Sequence, residues 1–326
     1  MTNQISKQRI VMIVLGLILI LSNIEAHKNS KGIPLADPFI LCSNGMYYAY
    51  GTSSQEGFKV YVSKDLEKWM PGDTPLGNHL VLQKGVDVWG QSDFWAPEVY
   101  YINNKYYMFY SANTRICVAT SLSPLGPFKQ EKVQPIIPDE GCIDHHLFID
   151  DNGKFYIFFV RFNDGNNIWM AEISSDLQQI ASKETWKHCI SVSQPWENKM
   201  GRIIEGPFVL KHNGVYYLTY SANDYRSSDY AVGYATTHDL SAPQWKKSQN
   251  NPVLHRPGKL VGTGHHSFFY DTKGNLKIVF HAHKTNTIIH PREMYISDAQ
   301  FKNDKHTVSL NISPKFKKAI ICNTND

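Results

Sequence analysis

The chain has 326 residues, of which 42% are hydrophobic, 13% aromatic and only 19% charged. This composition excludes disordered, collagen-like and coiled-coil proteins, because each of those classes has a strong compositional bias that this chain lacks. The 33 basic and 29 acidic residues give a formal net charge of +4, and basic residues do not form long runs. So small and diffuse a charge argues against a nucleic-acid partner and favours a neutral substrate.

The first residues have the features of a secretory signal peptide. Lys7 and Arg9 precede an uninterrupted apolar stretch at 10–21, and Ala26 ends a short polar segment that follows it. The apolar stretch is shorter than the roughly 20 residues that a membrane-spanning helix needs. We therefore expect a signal peptide at 1–26, a periplasmic or secreted location, and no membrane span in the mature chain at 27–326.

Five stretches of the mature chain share the same order of elements: a strand, a tight turn and an aromatic strand. The turns lie at 43–45, 103–105, 151–153, 212–214 and 272–274. Asn and Gly at such turns, between alternating apolar residues, predict β-hairpins. Each hairpin is followed by a third alternating strand, at 58–63, 116–120, 168–173, 231–236 and 293–297.

The spacing of these stretches predicts a propeller. The equivalent starts are taken as Asp37, Pro97, Asp144, Glu205 and His265, which are 60, 47, 61 and 60 residues apart. Small sheets repeated at such a period bury their faces by radial stacking, which predicts one all-β domain at 27–326, a five-bladed β-propeller. A β-sandwich has the same hairpin density but does not explain the long period.

Three of the five equivalent starts are acids, namely Asp37, Asp144 and Glu205. The first strand of each propeller blade lines the central channel, so these side chains are expected to converge. Their neighbours are apolar, and an ionised group there is costly unless it is used or paired. Crowded carboxyl groups push their pKa values apart, so that one stays protonated while another stays ionised. A single acid before a strand is often a turn former, but three in register predict catalysis.

Motifs at these positions resemble a known family. They are Ala-Asp-Pro-Phe at 36–39, Trp-Ala-Pro-Glu at 95–98, Ile-Asp at 143–144, Glu-Gly-Pro at 205–207 and Gly-Thr-Gly-His at 262–265. In this order they make the chain similar to glycoside hydrolase family 43 over nearly the whole mature sequence. The resemblance implies a five-bladed propeller that hydrolyses arabinose- or xylose-containing plant polysaccharides with inversion. It also implies Asp37 as general base, Glu205 as general acid, and Asp144 as the residue that orients Glu205 and raises its pKa.

Four further residues are candidates for binding. The resemblance implies that Arg292 contacts the sugar hydroxyls and that His265 points into the channel near a largely water-coordinated calcium ion. Trp95 and Phe39 are aromatic candidates for contact with the apolar face of a sugar, because Trp95 belongs to a blade-opening motif and Phe39 lies near Asp37. The chemistry is expected to need no cofactor, and the channel calcium is a candidate structural ion.

Three other histidines leave alternatives open. His145 stands where the family often has proline, and a cationic imidazole there would lower the pKa of the carboxyl before it. His281 and His283 share one strand face, a spacing compatible with zinc, but the sequence indicates no third ligand. We expect no zinc site.

The predicted function is an exported, inverting exo-glycosidase, specifically an α-L-arabinofuranosidase acting on plant-type polysaccharides or oligosaccharides. A β-xylosidase or an endo-arabinanase fits the same three acids. A non-catalytic carbohydrate-binding propeller is an alternative from another class, but it would need the aromatic channel and not the acids.

Overall fold

The computed structural model describes residues 31–304 and 307–322, so the predicted signal peptide at 1–26 lies outside the described residues. The first blade contains β1 (Ala36–Ser43), β2 (Met46–Thr52), β3 (Gly57–Ser63), β4 (Lys68–Pro71) and β5 (Leu80–Gln83). The second contains β6 (Trp95–Ile102), β7 (Lys105–Ala112) and β8 (Arg115–Ser121). The third contains β9 (Cys142–Ile149), β10 (Phe155–Phe162), β11 (Asn166–Glu172) and β12 (Lys187–Ile190).

The fourth blade contains β13 (Ile204–His212), β14 (Val215–Ala222), β15 (Ala231–Thr237) and β16 (Lys246–Lys247). The fifth contains β17 (Gly264–Tyr270), β18 (Leu276–Ala282), β19 (Glu293–Asp304) and β20 (Thr307–Lys318), and β21 (Ile320–Ile321) follows. Helical structure within the described ranges is limited to two 3₁₀ turns, Lys183–Thr185 and Pro195–Glu197. Neither is long or apolar enough to cross a bilayer.

The predicted hairpins are present in all five blades. In the first and fourth blades the turn residues Asn44-Gly45 and Asn213-Gly214 all have positive φ. This is the backbone geometry that Asn-Gly favours in a two-residue hairpin turn. The aromatic second strands supply large side chains to the core between blades, and Tyr50, Tyr110, Tyr220 and Phe280 are fully buried.

The five sheets form a closed ring. Around the channel, β1 contacts β6 and β17, β9 contacts β6 and β13, and β13 contacts β17. The ring is fastened at its seam by β21, which pairs in parallel with β4 of the first blade. The prediction of a five-bladed all-β propeller is confirmed.

Each inner strand contains a one-residue β-bulge near its start. In β1, Ala36 pairs with Thr52 and Phe39 pairs with Tyr50, so the inner strand has one residue more than its partner over this interval. The same shift occurs in β6, β9, β13 and β17. One residue of each bulge has a positive φ: Asp37 (50°), Ala96 (46°), Asp144 (51°), Gly206 (55°) and His265 (41°).

The bulges correct which residues of the five blades are structurally equivalent. Ala96 and Gly206, and not Pro97 and Glu205, share the conformation of Asp37. Glu205 therefore lies one residue before the bulge position of its blade. Because a bulge redirects the side chains beside it, Glu205 still faces the channel from this position.

Candidate active site

The three predicted acids converge at the start of the inner strands, around His265. One ligand atom from each of Asp144, Glu205 and His265 lies within 4.8 Å of the other two. Asp37 Oδ1 is 3.4 Å from His265 Nδ1, and both side chains are largely buried. The structure thus brings together residues that are up to 228 positions apart in the chain.

Hydrogen bonds from the backbone amides of the five positive-φ bulge residues explain how the acids are held. Four of the five donate a hydrogen bond to a side chain at the end of the second strand of the preceding blade, at 2.7–3.2 Å. The pairs, with the amide donor first, are Asp37 with His281, Ala96 with Thr52, Asp144 with Ser111, and His265 with Ser221. Each bond satisfies an amide that the bulge removes from the sheet ladder.

The amide of Gly206 is held differently. In the third blade, the corresponding residue at the end of the second strand is Val160, opposite Ile143. The side chain of Val160 cannot accept a hydrogen bond. The Gly206 N–H instead donates to Asp144 Oδ2 at 3.2 Å. This bond ties the carboxylate of Asp144 to the residue next to Glu205.

Asp37 lies in an environment that keeps it ionised. Arg292 Nη1 donates to Asp37 Oδ1 at 2.8 Å, and the Thr52 hydroxyl donates to Oδ2 at 2.6 Å. Burial alone would raise the pKa of Asp37, but the Arg292 guanidinium opposes this effect. With further contributions from His265 and His281, the pKa is held well below its ordinary value. Asp37 can therefore accept a proton at neutral pH.

Glu205 and Asp144, in contrast to Asp37, have raised pKa values. Burial raises the pKa of Glu205 to about 7; a hydrogen bond from Tyr230 opposes this shift and the charge of Asp37 adds to it. Burial, followed by the charge of Glu205, raises the pKa of Asp144 well above its ordinary value. Two buried carboxyl groups this close share a proton, and their titration belongs to the pair.

Two channel histidines, His145 and His281, are neutral near pH 7. Burial lowers the pKa of His145 to about 4, so the cationic imidazole considered from the sequence does not form near neutral pH. Burial also lowers the pKa of His281 to about 3. His281 Nδ1 accepts the Asp37 amide, whereas His283 Nε2 contacts the Tyr225 carbonyl at 2.8 Å, so the two imidazoles have separate partners.

A cavity of about 720 Å³ is lined by residues of the first, second, fourth and fifth blades, among them Thr52 and Arg292, which bind the Asp37 carboxylate; none of the three acids lines it. Trp95 and Arg292, both predicted as substrate contacts, line it. Tyr225 was not predicted, yet it also lines the cavity, with its ring centroid 4.4 Å from the Arg292 guanidinium carbon. This cation–π contact holds Arg292 against Asp37.

Phe39, also predicted as a substrate contact, does not line this cavity; it borders a much smaller space with Asp37 and His265, and its contact with substrate stays a prediction. Its side chain is buried in the core, with its ring centroid 5.6 Å from that of Tyr100. Phe39 follows the bulge and pairs with Tyr50 inside the first blade, so proximity to Asp37 in sequence does not bring it to the cleft.

The side chains around His265 offer few of the oxygen ligands that calcium needs. The group consists of one imidazole nitrogen and carboxylates from Asp144 and Glu205. Calcium takes six to eight oxygen ligands, and one of the two carboxylates is already engaged by Gly206 N–H. This donor set fits calcium only where water supplies most of the ligands, so no chemical step is assigned to an ion.

An ionised carboxylate and a carboxyl of raised pKa, meeting at the mouth of a five-bladed propeller, define the class of glycoside hydrolases. Residues 33–306 match the family described as glycosyl hydrolases family 43. The chain belongs to this family and is an enzyme of it.

Named relatives differ in their activities. The chain is 25% identical over 295 residues to a beta-D-galactofuranosidase of Aspergillus niger, covering 82% of this chain and 80% of that protein. It is 25% identical over 285 residues to an extracellular exo-alpha-(1->5)-L-arabinofuranosidase of Cellvibrio japonicus, covering 78% and 80%. The structure of an endo-1,4-beta-xylanase from Bacteroides thetaiotaomicron is 43% identical, with a TM-score of 0.83, and covers 90% of this chain and 99% of that chain.

Proposed function

We propose that the protein is an inverting, exo-acting α-L-arabinofuranosidase that acts on plant-type polysaccharides or oligosaccharides. The observation that carries this proposal is the opposite shift of two carboxyl pKa values at one site. Asp37 is held ionised, and Glu205 has its pKa raised to about 7. One group is thus ready to take a proton and the other to give one.

In the proposed reaction, Asp37 takes a proton from a water molecule as the water oxygen attacks the anomeric carbon. The bond from that carbon to the leaving oxygen breaks, and Glu205 gives its proton to the leaving oxygen. Inversion requires room for the water, with the two carboxyl groups about 6.5–9.5 Å apart. Within this coupled pair the charge of Glu205 raises the pKa of Asp144, and by the same repulsion an ionised Asp144 would keep the proton on Glu205.

Arg292 is proposed to bind the sugar. One of its nitrogens holds Asp37, while its Nε is buried and has no hydrogen-bond partner among the described residues. The guanidinium also lines the cleft, where its other N–H groups can donate to a sugar hydroxyl. Trp95 is proposed to contact an apolar sugar face in the same cleft.

The relatives favour an arabinofuranoside as substrate. The two that are compared over about four fifths of their length are both named as furanosidases, and the Cellvibrio japonicus protein is named as exo-acting. Export is proposed from the predicted signal peptide and from the word "extracellular" in the name of the Cellvibrio japonicus relative.

A β-xyloside is the second candidate substrate. The Bacteroides thetaiotaomicron structure, which is similar over nearly its whole length, is titled an endo-1,4-beta-xylanase. The same acid and base would serve either sugar, so the choice depends on the cleft.

The test is a screen of the purified protein on an aryl α-L-arabinofuranoside, an aryl β-D-xyloside, linear arabinan and xylan. Release of arabinose, with NMR showing the inverted anomer first, is the expected result. Release of xylose only would select the second candidate. A retained anomer would reject the inverting scheme and imply carboxyl groups only about 5–5.5 Å apart.

We also propose that the reaction needs no metal. Activity is expected to survive treatment with EDTA. Loss of activity that added calcium alone restores would make the channel ion essential. Restoration by zinc alone would instead require His281 and His283 to be reconsidered as ligands.

A further inference from the structure

We propose that Tyr230 is a positioning residue for the general acid: its hydroxyl holds Glu205 Oε1, so that Oε2 carries the proton toward the leaving oxygen. This inference rests on the proposed role of Glu205 and adds to it a residue that decides which carboxyl oxygen is the donor.

The hydrogen bond from Tyr230 gives the two carboxyl oxygens of Glu205 different roles. Tyr230 is fully buried, and its hydroxyl donates to Glu205 Oε1 at 2.8 Å. A phenol has a single proton, so an Oε1 atom that receives it acts as an acceptor. A proton on the same carboxyl group then belongs on Oε2. Without the bond, either oxygen could carry the proton.

The Tyr230 ring is fixed in place. It stacks on the His281 ring with a centroid distance of 5.7 Å and an interplanar angle of 9°. His281 in turn accepts the amide of Asp37 at 3.1 Å. Gly264 leaves the space that the ring fills, because a Cβ there would lie 2.4 Å from Tyr230 Cε1. Tyr230 and His281 together therefore form a rigid connection between the acid and the base.

The same fold contains a bond of the same kind away from the acids. The hydroxyl of Tyr220, in β14, donates to Oε1 of the buried Glu197 at 2.6 Å. Glu197 is also bound by the amides of Ser193 and Gln194 and by Lys247. This carboxylate holds a loop and does not contact the three acids through any described hydrogen bond. Tyr220 is thus a matched control for the loss of a buried hydroxyl.

The experiment compares Tyr230→Phe with Tyr220→Phe on two substrates. One is an arabino-oligosaccharide, whose leaving group needs a proton, and the other is an activated aryl arabinofuranoside, which needs little help. In Tyr230→Phe, kcat on the oligosaccharide is expected to fall about 10- to 100-fold, the size of a lost hydrogen bond to the carboxylate that forms as Glu205 gives up its proton. KM should change little, and kcat on the aryl substrate should fall less than about threefold. Tyr220→Phe should affect both substrates equally.

An equal loss on both substrates in Tyr230→Phe, or no loss on the oligosaccharide, would overturn the proposal. Thermal unfolding of both variants shows whether each is folded. Gly264→Ala, which displaces the ring without removing the hydroxyl, should give the same preference for the activated substrate. Glu205→Gln is measured in parallel. If Glu205→Gln still hydrolyses the oligosaccharide, the assignment of Glu205 as acid and the role of Tyr230 both fail. If Glu205→Gln loses this activity but Tyr230→Phe keeps it, only the role of Tyr230 is rejected.

Discussion

Replacing Asp144 by Asn removes a negative charge beside the acid while preserving the local geometry. The amide oxygen of Asn can still accept the hydrogen bond that Gly206 N–H donates to Asp144 Oδ2 at 3.2 Å. The proposed mechanism assigns Asp144 the task of keeping the proton on Glu205. Loss of the charge should therefore lower the pKa of Glu205 and move the basic-side fall in activity to lower pH.

The size of the shift follows from the separation of the two groups. Oxygen atoms of Asp144 and Glu205 lie within 4.8 Å of each other. At this separation two unit charges interact by about 3.5 kcal/mol at an effective dielectric constant of about 20, and by about 0.9 kcal/mol at about 80. These energies correspond to about 2.5 and 0.6 pKa units. The basic limb, expected near the Glu205 pKa of about 7, should move down by an amount within this range.

The assay is the pH profile of kcat/KM for wild type and Asp144→Asn on one oligosaccharide. Asp164→Asn serves as a charge control, because Asp164 is 82% exposed and pairs with Arg202 at the end of the third blade. The control should leave the basic limb in place. An unchanged or raised basic limb in Asp144→Asn would refute the electrostatic reasoning and show that Asp144 itself carries the shared proton.

Three further predictions concern the acid, the base and the support of the base. Glu205→Gln should reduce kcat/KM on natural glycosides by roughly 10²–10⁴-fold and on activated aryl glycosides by much less, and a loss below about tenfold on an oligosaccharide would contradict its role as acid. Asp37→Asn should abolish activity on both kinds of substrate, and added azide should yield the glycosyl azide of inverted configuration, which NMR identifies. Thr52→Val removes a hydroxyl donor to Asp37, so the Asp37 pKa should rise and the acid-side limb should move up by about one pH unit. Thr52→Ser, which keeps the hydroxyl, should restore the wild-type profile.

The repeat made the fold predictable from sequence. Asn-Gly turns such as Asn44-Gly45 have a backbone conformation that few other residue pairs adopt easily, so their position between aromatic runs identified the hairpins. The convergence of Asp37, Asp144 and Glu205 followed from the radial arrangement of inner strands. The structure places all three as expected, together with Trp95 and Arg292.

The parts that the sequence did not predict depend on contacts between blades. The bulge shifts the equivalent position by one residue in the second and fourth blades; the only sequence mark of the shift is the proline that directly follows the bulge residue, at Pro38, Pro97 and Pro207. Thr52, at the end of β2, and Tyr230, directly before β15, bind the acids from segments that look ordinary when read alone. A usable signal was present at the ends of the second strands, where Thr52, Ser111 and Ser221 each place a hydroxyl. The burial of Phe39 depends on the neighbouring blade, which its own strand does not reveal.

The seam of the ring runs through the site of the base. Asp37 belongs to the first blade, but Arg292 and His281, which contact its carboxylate and its amide, belong to the last. Along the chain, the base Asp37 and the acid Glu205 therefore both precede Arg292, the cation that contacts the base. Without Arg292, burial would push the Asp37 pKa upward and favour the protonated carboxyl, which cannot act as a base. The base therefore has its cation only in a closed ring, in which the fifth blade is docked on the first.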